Sequence, residues 1–394
     1  MVLKKKIGII GSGTAGLHLA YALRNDFDLT VFHSSLPEEI RKGRIMSTQV
    51  HFGPTRLRER RFDMPEWVTP PLLESIHITV GEQKLFVGKL NESASSIDQR
   101  LYFSHCLEDL KEKGVAFRND KVDEEQLRAL TSEFDLIIDC SGKSGPLFSF
   151  PLDTTLSPFH QPQRKCAVGY FNGVTPEKPL GVNVTILPEI GEMFEIPAMT
   201  EAGQVTILFL MPIPNQKLDV FKGIKSGEGF TARMKVVLEA FFPNIYKRVD
   251  KDNFSLSDEG AFLQVAIKPE IRKPYLTFNE CLVVGCGDSV FLNDPITGQG
   301  CNLSSYCAEQ LYETLIENKD TVWDSRVGES YWERVQLYVK EVTEWTNAMT
   351  QPIPQHIIEL LVQGAEDRSI ADNVAEWFAQ PTTAHEAFFH KSNI

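Results

Sequence analysis

An α/β fold is predicted for this 394-residue sequence by three observations. A strand-length apolar run, Lys6-Ile7-Gly8-Ile9-Ile10, ends in three glycines spaced G-x-G-x-x-G, and a helical pattern through Leu17, Leu19, Ala20, Ala22 and Leu23 follows at once. Two later runs, Phe134 to Cys140 and Cys281 to Gly285, are short and apolar-centred, as strands of a buried parallel sheet are. Between them, from Arg164 to about Pro214, Val182 to Ile186 and Gln204 to Leu210 stand among Gly, Pro and Asn turns, the mark of an antiparallel sheet. The domain expectation follows. Residues 1–70, 96–160 and 276–320 form a discontinuous parallel-sheet domain, 71–95 and 161–275 an inserted, mainly antiparallel β-sheet domain, and 321–394 a helical C-terminal region.

The glycine spacing has a chemical reading. Gly11 permits the tight strand-to-helix turn, Gly13 lets the backbone approach a pyrophosphate, and Gly16 lets the helix pack on the strand, with the helix N-terminus facing the phosphates. A glycine-rich turn without a ligand is the plain alternative, but the required strand precedes the motif and the required helix follows it. A dinucleotide site is therefore expected at Gly11, Gly13, Thr14, Ala15 and Gly16. Asp28 to His33 reads as the second strand. Dinucleotide proteins usually end that strand with an acidic residue that holds the ribose; His33 and Ser34 stand there instead. A weak grip on the adenosine half, and a cofactor that comes and goes, is the expectation.

Further along, Lys42-Gly43-Arg44 leads into Ile45 to His51, whose alternation puts Ser47, Gln49 and His51 on one face of an extended segment. Arg56 to Arg61 is a short basic cluster, read as a solvated helix face. Ile76 to Val87 predicts a hairpin turning at Gly81-Glu82, and a helix opens near Ile97, carries Leu107 and Leu110, and ends near Gly114. Ser141-Gly142-Lys143-Ser144 looks like the tail of a phosphate-binding P-loop, but that motif needs a glycine where Ile137 stands. A helix is expected from Ala232 to Phe242, and Trp323, Trp332, Trp345 and Trp377 of the C-terminal region are expected to anchor packing.

Composition narrows the function. A net charge of −13 and the lack of a Lys/Arg stripe argue against nucleic acid. Seven scattered cysteines without a CxxC read as reduced core residues of a cytoplasmic protein, and no metal site is expected. The basic start, Met1 to Lys6, mimics a signal peptide, but glycines and His18 break its apolar segment. No apolar run nears the eighteen or so residues that span a bilayer.

A second glycine-rich junction specifies the ligand further. Gly287-Asp288 follows the buried strand, and Asp294-Pro295-Ile296-Thr297-Gly298-Gln299-Gly300 precedes a helix. Asp288 is placed to accept a hydrogen bond from a polyol such as ribitol. Gly298 and Gly300 let backbone N–H groups approach a ligand at a helix N-terminus, where negative charge is favoured. Asn302 could face the same ligand, although it reads more simply as a helix cap.

These two motifs, with Arg44 after the second strand, resemble the flavoprotein monooxygenases of the para-hydroxybenzoate hydroxylase fold. Asp139-Cys140-Ser141-Gly142-Lys143 and Asp98-x-Arg100-Leu101-Tyr102 narrow the resemblance to the FAD-dependent oxygenase component of two-component styrene/indole monooxygenases, over nearly the whole chain. The resemblance implies a Rossmann-like FAD domain and a separate NADH-dependent flavin reductase that supplies diffusible reduced FAD. It implies O2 as co-substrate, a flavin C4a-(hydro)peroxide as oxidant and no protein nucleophile; it also allows a homodimer. Flavin contacts fall on Arg44, Arg100, Asp288, Pro295, Gly298, Gln299, Gly300 and Asn302.

By the same resemblance the substrate pocket falls on Ser47, Gln49, His51, Leu73, Ile76 and Ala94. Styrene-type enzymes tend to carry Asn, Val, His, Tyr, His and Ser there, and indole-type enzymes Ser, Gln, Met, Val or Ile, Ile and Ala. The chain matches the indole set at Ser47, Gln49, Ile76 and Ala94 and nearly at Leu73, and departs towards the styrene set at His51. Ser47 and Gln49 also offer acceptors for an indole N–H, which an apolar pocket would leave unpaired at a cost of about 1–3 kcal/mol. Epoxidation of the 2,3 bond of indole, leading to indigo, is therefore expected. A styrene monooxygenase is the first alternative, and a non-catalytic FAD-fold binding protein the second. A flavin-dependent halogenase would share the fold, but the chain has no W-x-W-x-I-P segment.

Overall fold

The computed structural model describes residues 4–67, 69–119, 122 and 124–390; Met1, Val2 and Leu3 of the basic start lie outside them. Its first sheet has six strands in the order Tyr275–Phe278, Cys281–Gly285, Leu136–Asp139, Lys6–Ile10, Asp28–Phe32 and Ala116–Arg118. Neighbours run parallel except Tyr275–Phe278, which is antiparallel to Cys281–Gly285. Helices Thr14–Leu23, Gln99–Glu112, Gly300–Glu317 and Ser325–Met349 share its core. Burial beneath helices is why these strands read as apolar runs rather than alternating ones.

The opening turn is sterically determined. Gly11 has φ +113°, a conformation that suits glycine, and a Cβ there would overlap the Cys140 carbonyl at the end of the neighbouring strand. A Cβ on Gly16 would overlap the Gly11 carbonyl, whereas one on Gly13 would meet open space. Gly11 and Gly16 thus serve the packing of strand against helix, and Gly13 alone faces outward.

The second sheet has eight strands: Ser255–Leu256, Lys165–Asn172, Gly203–Pro212, Gly191–Thr200, Gly181–Leu187, Leu72–Val80 and Gln83–Ser95 in order, with Phe262–Ala266 also beside Lys165–Asn172. Leu72–Val80 and Gly181–Leu187 run parallel, and the other pairs antiparallel. Its central strands are buried on both faces, while the edge strand Gln83–Ser95 exposes Lys89, Asn91 and Glu92. Ile207 and Phe209 join a core with Trp345, Trp377 and Phe378, while Leu208 and Leu210 join another with Phe230, Met234 and Leu238 of helix Gly227–Phe241. An antiparallel strand with one wet face would alternate in polarity; Val205 to Met211 does not, because it has no wet face.

Two expectations change. Ile45 to His51 is not a ladder strand: His51 alone pairs, in an isolated bridge with Ser95, and the Ile45 N–H is taken by the Gly260 carbonyl. Met46 to Val50 all line the cleft, so the alternation does not sort this segment into a cleft face and a core face. The basic cluster is a solvated face only in part: Arg60 and Arg61 are exposed, but Arg58 and Arg61 of helix Gly53–Arg61 pair with Glu309 and Glu313 of helix Gly300–Glu317. Trp323, Trp345 and Trp377 are buried, and Trp332 stacks on Phe291 at a ring-centroid distance of 6.2 Å. Among the described residues no helix is long and apolar enough to cross a membrane.

The glycine geometry predicts opposite outcomes for neighbouring substitutions. Gly16→Ala should lower the unfolding free energy by more than about 2 kcal/mol, whereas Gly13→Ala should leave the denaturation midpoint near that of the wild type. Denaturant unfolding of both variants checks this; equal midpoints would contradict the packing described.

Candidate active site

The C-terminal ends of three parallel strands meet the second sheet at a cleft of about 1560 Å³, open mouth included. Its enclosed part, about 330 Å³, falls within the roughly 300–1,000 Å³ of a small-molecule site. From the parallel sheet come Gly13, Thr14 and Ala15, Cys140 to Ser144, Cys286 and Asp288; from the second come Val182, Phe194, Ile196 and Phe209. Pro295, Gly298 and Gly300 line it at the start of helix Gly300–Glu317, and Phe378 closes it from the C-terminal helices. A cleft at the carboxyl ends of parallel strands is where α/β sheets bind ligands.

One end of the cleft is polar and built for an extended ligand. The buried Asp139 carboxylate accepts from the Ser141 N–H at 3.0 Å, the Ser141 hydroxyl at 2.6 Å and the Leu147 N–H at 2.7 Å, which folds the turn carrying Lys143 into the wall. Lys143 donates to the Met46 carbonyl across the cleft mouth. Burial lowers the Lys143 pKa while Asp288 opposes that shift; burial raises the Asp288 pKa while Lys143 opposes it. Gly298 takes the left-handed conformation at φ 65°, which brings the turn's backbone close to the ligand space. Asn293 lines the cleft, and neither atom of its amide has a partner among the described residues. Open space at Gly13, a cation facing a carboxylate, and an unpartnered buried amide all fit a pyrophosphate-linked polyol such as FAD.

The other end is apolar, walled by Val182, Phe194, Ile196, Phe209 and Phe378. Ser47 and Gln49 stand in the same cleft with Gln99. The Ser47 hydroxyl donates to the Gln99 carbonyl oxygen, and the Gln99 amide donates to the Gln49 oxygen at 3.4 Å. These three side chains largely satisfy one another.

Several expected site residues lie elsewhere. His51, between the cleft-lining Val50 and Phe52, turns its ring away and pairs through Nδ1 with Glu59 at 2.5 Å. Burial opposes charge on His51, yet Glu59 raises its pKa to about 10; burial likewise opposes charge on Glu59, yet His51 lowers it to about 2. Leu73, Ile76 and Ala94 are fully buried in the core behind the wall, and Ile76 sits in register with the cleft-lining Val182. His33 folds back on the Ser35 carbonyl at 2.8 Å, and Ser34 is exposed outside the cleft. Arg44 covers the Phe262 ring at 4.9 Å.

Others shape the cleft without lining it. Arg100 grips Asp98, Asp258 and the Gly43 carbonyl, which anchors the start of segment 43–50. Gln299 donates to the carbonyls of Thr297 and Phe378 and so holds Phe378 in place. A Cβ on Gly287 would press on Ala15. Asn302 spends its whole amide on protein: it donates to the Val50 and Gly298 carbonyls at 3.0 and 3.1 Å, and accepts from the Phe52 N–H and Thr55 hydroxyl at 3.2 and 2.7 Å. Residue-by-residue reading missed Gln99, Asn293 and Phe378, and it set Lys143 aside with the failed P-loop.

The family model described as "Styrene monooxygenase A putative substrate binding domain" matches residues 142–248. Styrene monooxygenase StyA of a Pseudomonas species is 31% identical over 404 aligned positions, spanning 100% of this chain and 97% of that protein. The chain belongs to the styrene monooxygenase family. StyA of Pseudomonas fluorescens is similar to the same extent, 31% identical over 100% of this chain. As a member of the styrene monooxygenase family, the chain is an FAD-dependent monooxygenase that uses FAD and O2. Among solved structures, pqsL of Pseudomonas aeruginosa, titled a probable FAD-dependent monooxygenase, superposes with a TM-score of 0.65 at 14% identity, covering 94% of this chain and 99% of that one. The flavin-dependent brominase Bmp2 gives 0.61 at 15% identity, covering 96% and 99%. At such identities the likeness speaks for the fold alone, the α/β fold of the para-hydroxybenzoate hydroxylase type.

Removing one carboxylate tests the polar end. Asp288→Ala should weaken reduced-FAD binding by roughly tenfold or more, the loss of a charged hydrogen bond of about 1.5–3 kcal/mol; unchanged affinity in a fluorescence titration would remove Asp288 from the FAD site. Asn302→Ala should cost about 2–4 kcal/mol in urea unfolding, because the buried donors and acceptors it serves lose their partner. A loss below about 0.5 kcal/mol would show that the clamp matters little.

Proposed function

We propose that the protein transfers one oxygen atom to the carbon–carbon double bond of a small aromatic alkene, with styrene as the leading substrate. We also propose that it receives FAD already reduced, from a separate NADH-dependent reductase. The observation that carries the first reading is the apolar recess of Val182, Phe194, Ile196, Phe209 and Phe378, which opens into the same cleft as Gly13, Asp288 and Gly298. A flat aromatic substrate buries its surface there and gains roughly 25 cal/mol per Å² of apolar area removed from water. Support for the second reading comes from His33 and Ser34, which leave the ribose end without a carboxylate, and from the single G-x-G-x-x-G motif.

When bound in reduced form, FAD supplies the two electrons with which O2 delivers one oxygen atom to the alkene and leaves the other as water. The chain's part is to bind, orient and exclude water. Gly13, Thr14 and Ala15 offer backbone at the start of helix Thr14–Leu23 to a pyrophosphate. Asp288 accepts from the polyol, Lys143 balances its charge, and the aromatic recess keeps water from the reacting bond.

A second reading, epoxidation of indole, is favoured by one observation. The Gln49 oxygen receives only the long 3.4 Å bond from Gln99, which leaves it able to accept from an indole N–H. The mutual bonding of Ser47, Gln99 and Gln49 and the names of the relatives favour styrene. Steady-state turnover of both substrates beside any flavin reductase decides between them. Styrene oxide should form faster than indigo precursors; a faster indole reaction that falls roughly tenfold in Gln49→Val would establish the second reading instead. Oxidation of neither alkene by folded, FAD-binding protein would overturn both.

A further inference from the structure

Three of the seven cysteines, Cys140, Cys286 and Cys301, line the cleft, and all seven are free thiols. Cys140 and Cys286 stand side by side. Each follows the last paired residue of its strand, where Asp139 lies in parallel register with Gly285. The Cys286 N–H donates to the Asp139 carbonyl at 3.0 Å, which carries the pairing up to the two cysteines. Cys286 is extended, with φ −144° and ψ 137°, so its side chain points away from the side on which a Gly285 Cβ would meet Val290 and Phe150. The Cys140 Cβ lies beside Gly16 of helix Thr14–Leu23, and a Cβ on the residue after Cys286 would press on Ala15 of that helix. Residues in register on neighbouring strands point to one face, so both thiols lie under the glycine-rich turn. Neighbouring strands run about 4.7–4.9 Å apart, within the roughly 4.4–6.8 Å between Cα atoms that a disulfide spans.

We propose that Cys140 and Cys286 form an oxidisable dithiol, which hydrogen peroxide closes to a reversible disulfide that weakens FAD binding. Peroxide is the two-electron product of O2 and reduced FAD when no substrate takes the oxygen atom, whichever alkene that substrate is. One sulfur takes a hydroxyl group from peroxide and becomes a sulfenic acid, releasing water. The second thiol attacks that sulfur and expels another water. Two thiols thereby lose two electrons and two protons, and one peroxide becomes two waters. Burial raises the Cys140 pKa, so the pair rests as thiols, and a small uncharged oxidant suits it better than a bulky reagent. Each cysteine opens a turn of the polar end. Cys140 leads into Ser141 to Ser144 with Lys143, and Cys286 into Gly287 and Asp288. The Cys140 carbonyl also fills the space beside Gly11. A bond between the sulfurs draws these strand ends together and shifts Lys143, Asp288 and the glycine-rich turn at once. Idle oxygen activation thus shuts off its own cofactor.

Full-length protein treated with hydrogen peroxide, blocked with N-ethylmaleimide and digested without reductant tests this by mass spectrometry. The Cys140–Cys286 crosslink should be the first to appear, and dithiothreitol should remove it. FAD affinity in a fluorescence titration should fall roughly fivefold or more on oxidation and return with dithiothreitol. By linkage, saturating FAD should disfavour the disulfide in a glutathione buffer by the same factor. Cys140→Ala and Cys286→Ala should each lose the crosslink and the affinity change, whereas Cys301→Ser should keep both. Oxidised and reduced wild type are compared without any variant, so that comparison stands if an alanine variant misfolds. No crosslink, or a different first crosslink, overturns the proposal. A Cys140–Cys286 crosslink that leaves FAD affinity unchanged keeps the dithiol and removes its control of FAD.

Discussion

One primary amide holds the cleft together. Asn302 bonds at once to the segment 50–55, to the Gly298 turn and, through its own backbone, to the helix that begins there. These pieces are some 250 residues apart in sequence. No packing of aliphatic side chains would place them as accurately, because apolar contacts are non-directional whereas two donors and a two-lobed acceptor demand a single orientation. The polar wall inherits its position from that orientation: Ser47, Gln49 and Val50 hang from one side of the amide, Gly298 and Gly300 from the other.

Charge supports the same segment at its two ends. Arg100 grips the carbonyl of Gly43 while its guanidinium is divided between Asp98 and Asp258, and His51 is tied to Glu59. Both clusters are largely out of water, where an ion pair is weak evidence of net stability but losing one partner is expensive. Their clearer effect is to leave segment 43–51 few alternative positions. The central strands of the second sheet behind it have no wet face to yield.

Much of this architecture was legible in the chain. The three glycines, the short apolar strands and the turn-rich alternating stretch report directly on local backbone and burial. The parallel sheet, the hairpin at Gly81-Glu82 and the first helices lie where those patterns put them. The site was legible only in part, and for a physical reason. Ser47 and Gln49 reach the cleft, but so do Met46, Thr48 and Val50 of the other parity, while His51 pairs with Glu59, so a two-residue period does not sort this segment. Asn302 and Gln299 look like ligand-binding amides, but their partners are backbone carbonyls that no local pattern reveals. Phe378 carries no signal at all; it reaches the cleft because helices at the far end of the chain fold back onto the second sheet.

That return has a consequence for how the protein is made. The first strand, Lys6–Ile10, borders Leu136–Asp139, which borders Cys281–Gly285, and the recess is closed only by Phe378. On a ribosome adding about 5–20 residues per second, the earliest strand soon meets Asp28–Phe32 on one side but waits several seconds more for Leu136–Asp139 on the other, and longer still before the sheet is complete. Until then the nascent chain presents unpaired edges and uncovered isoleucines, the features that make parallel sheets slow to form and prone to stray association. Expression yield should therefore respond to translation speed and chaperone supply more than the stability of the finished molecule would suggest.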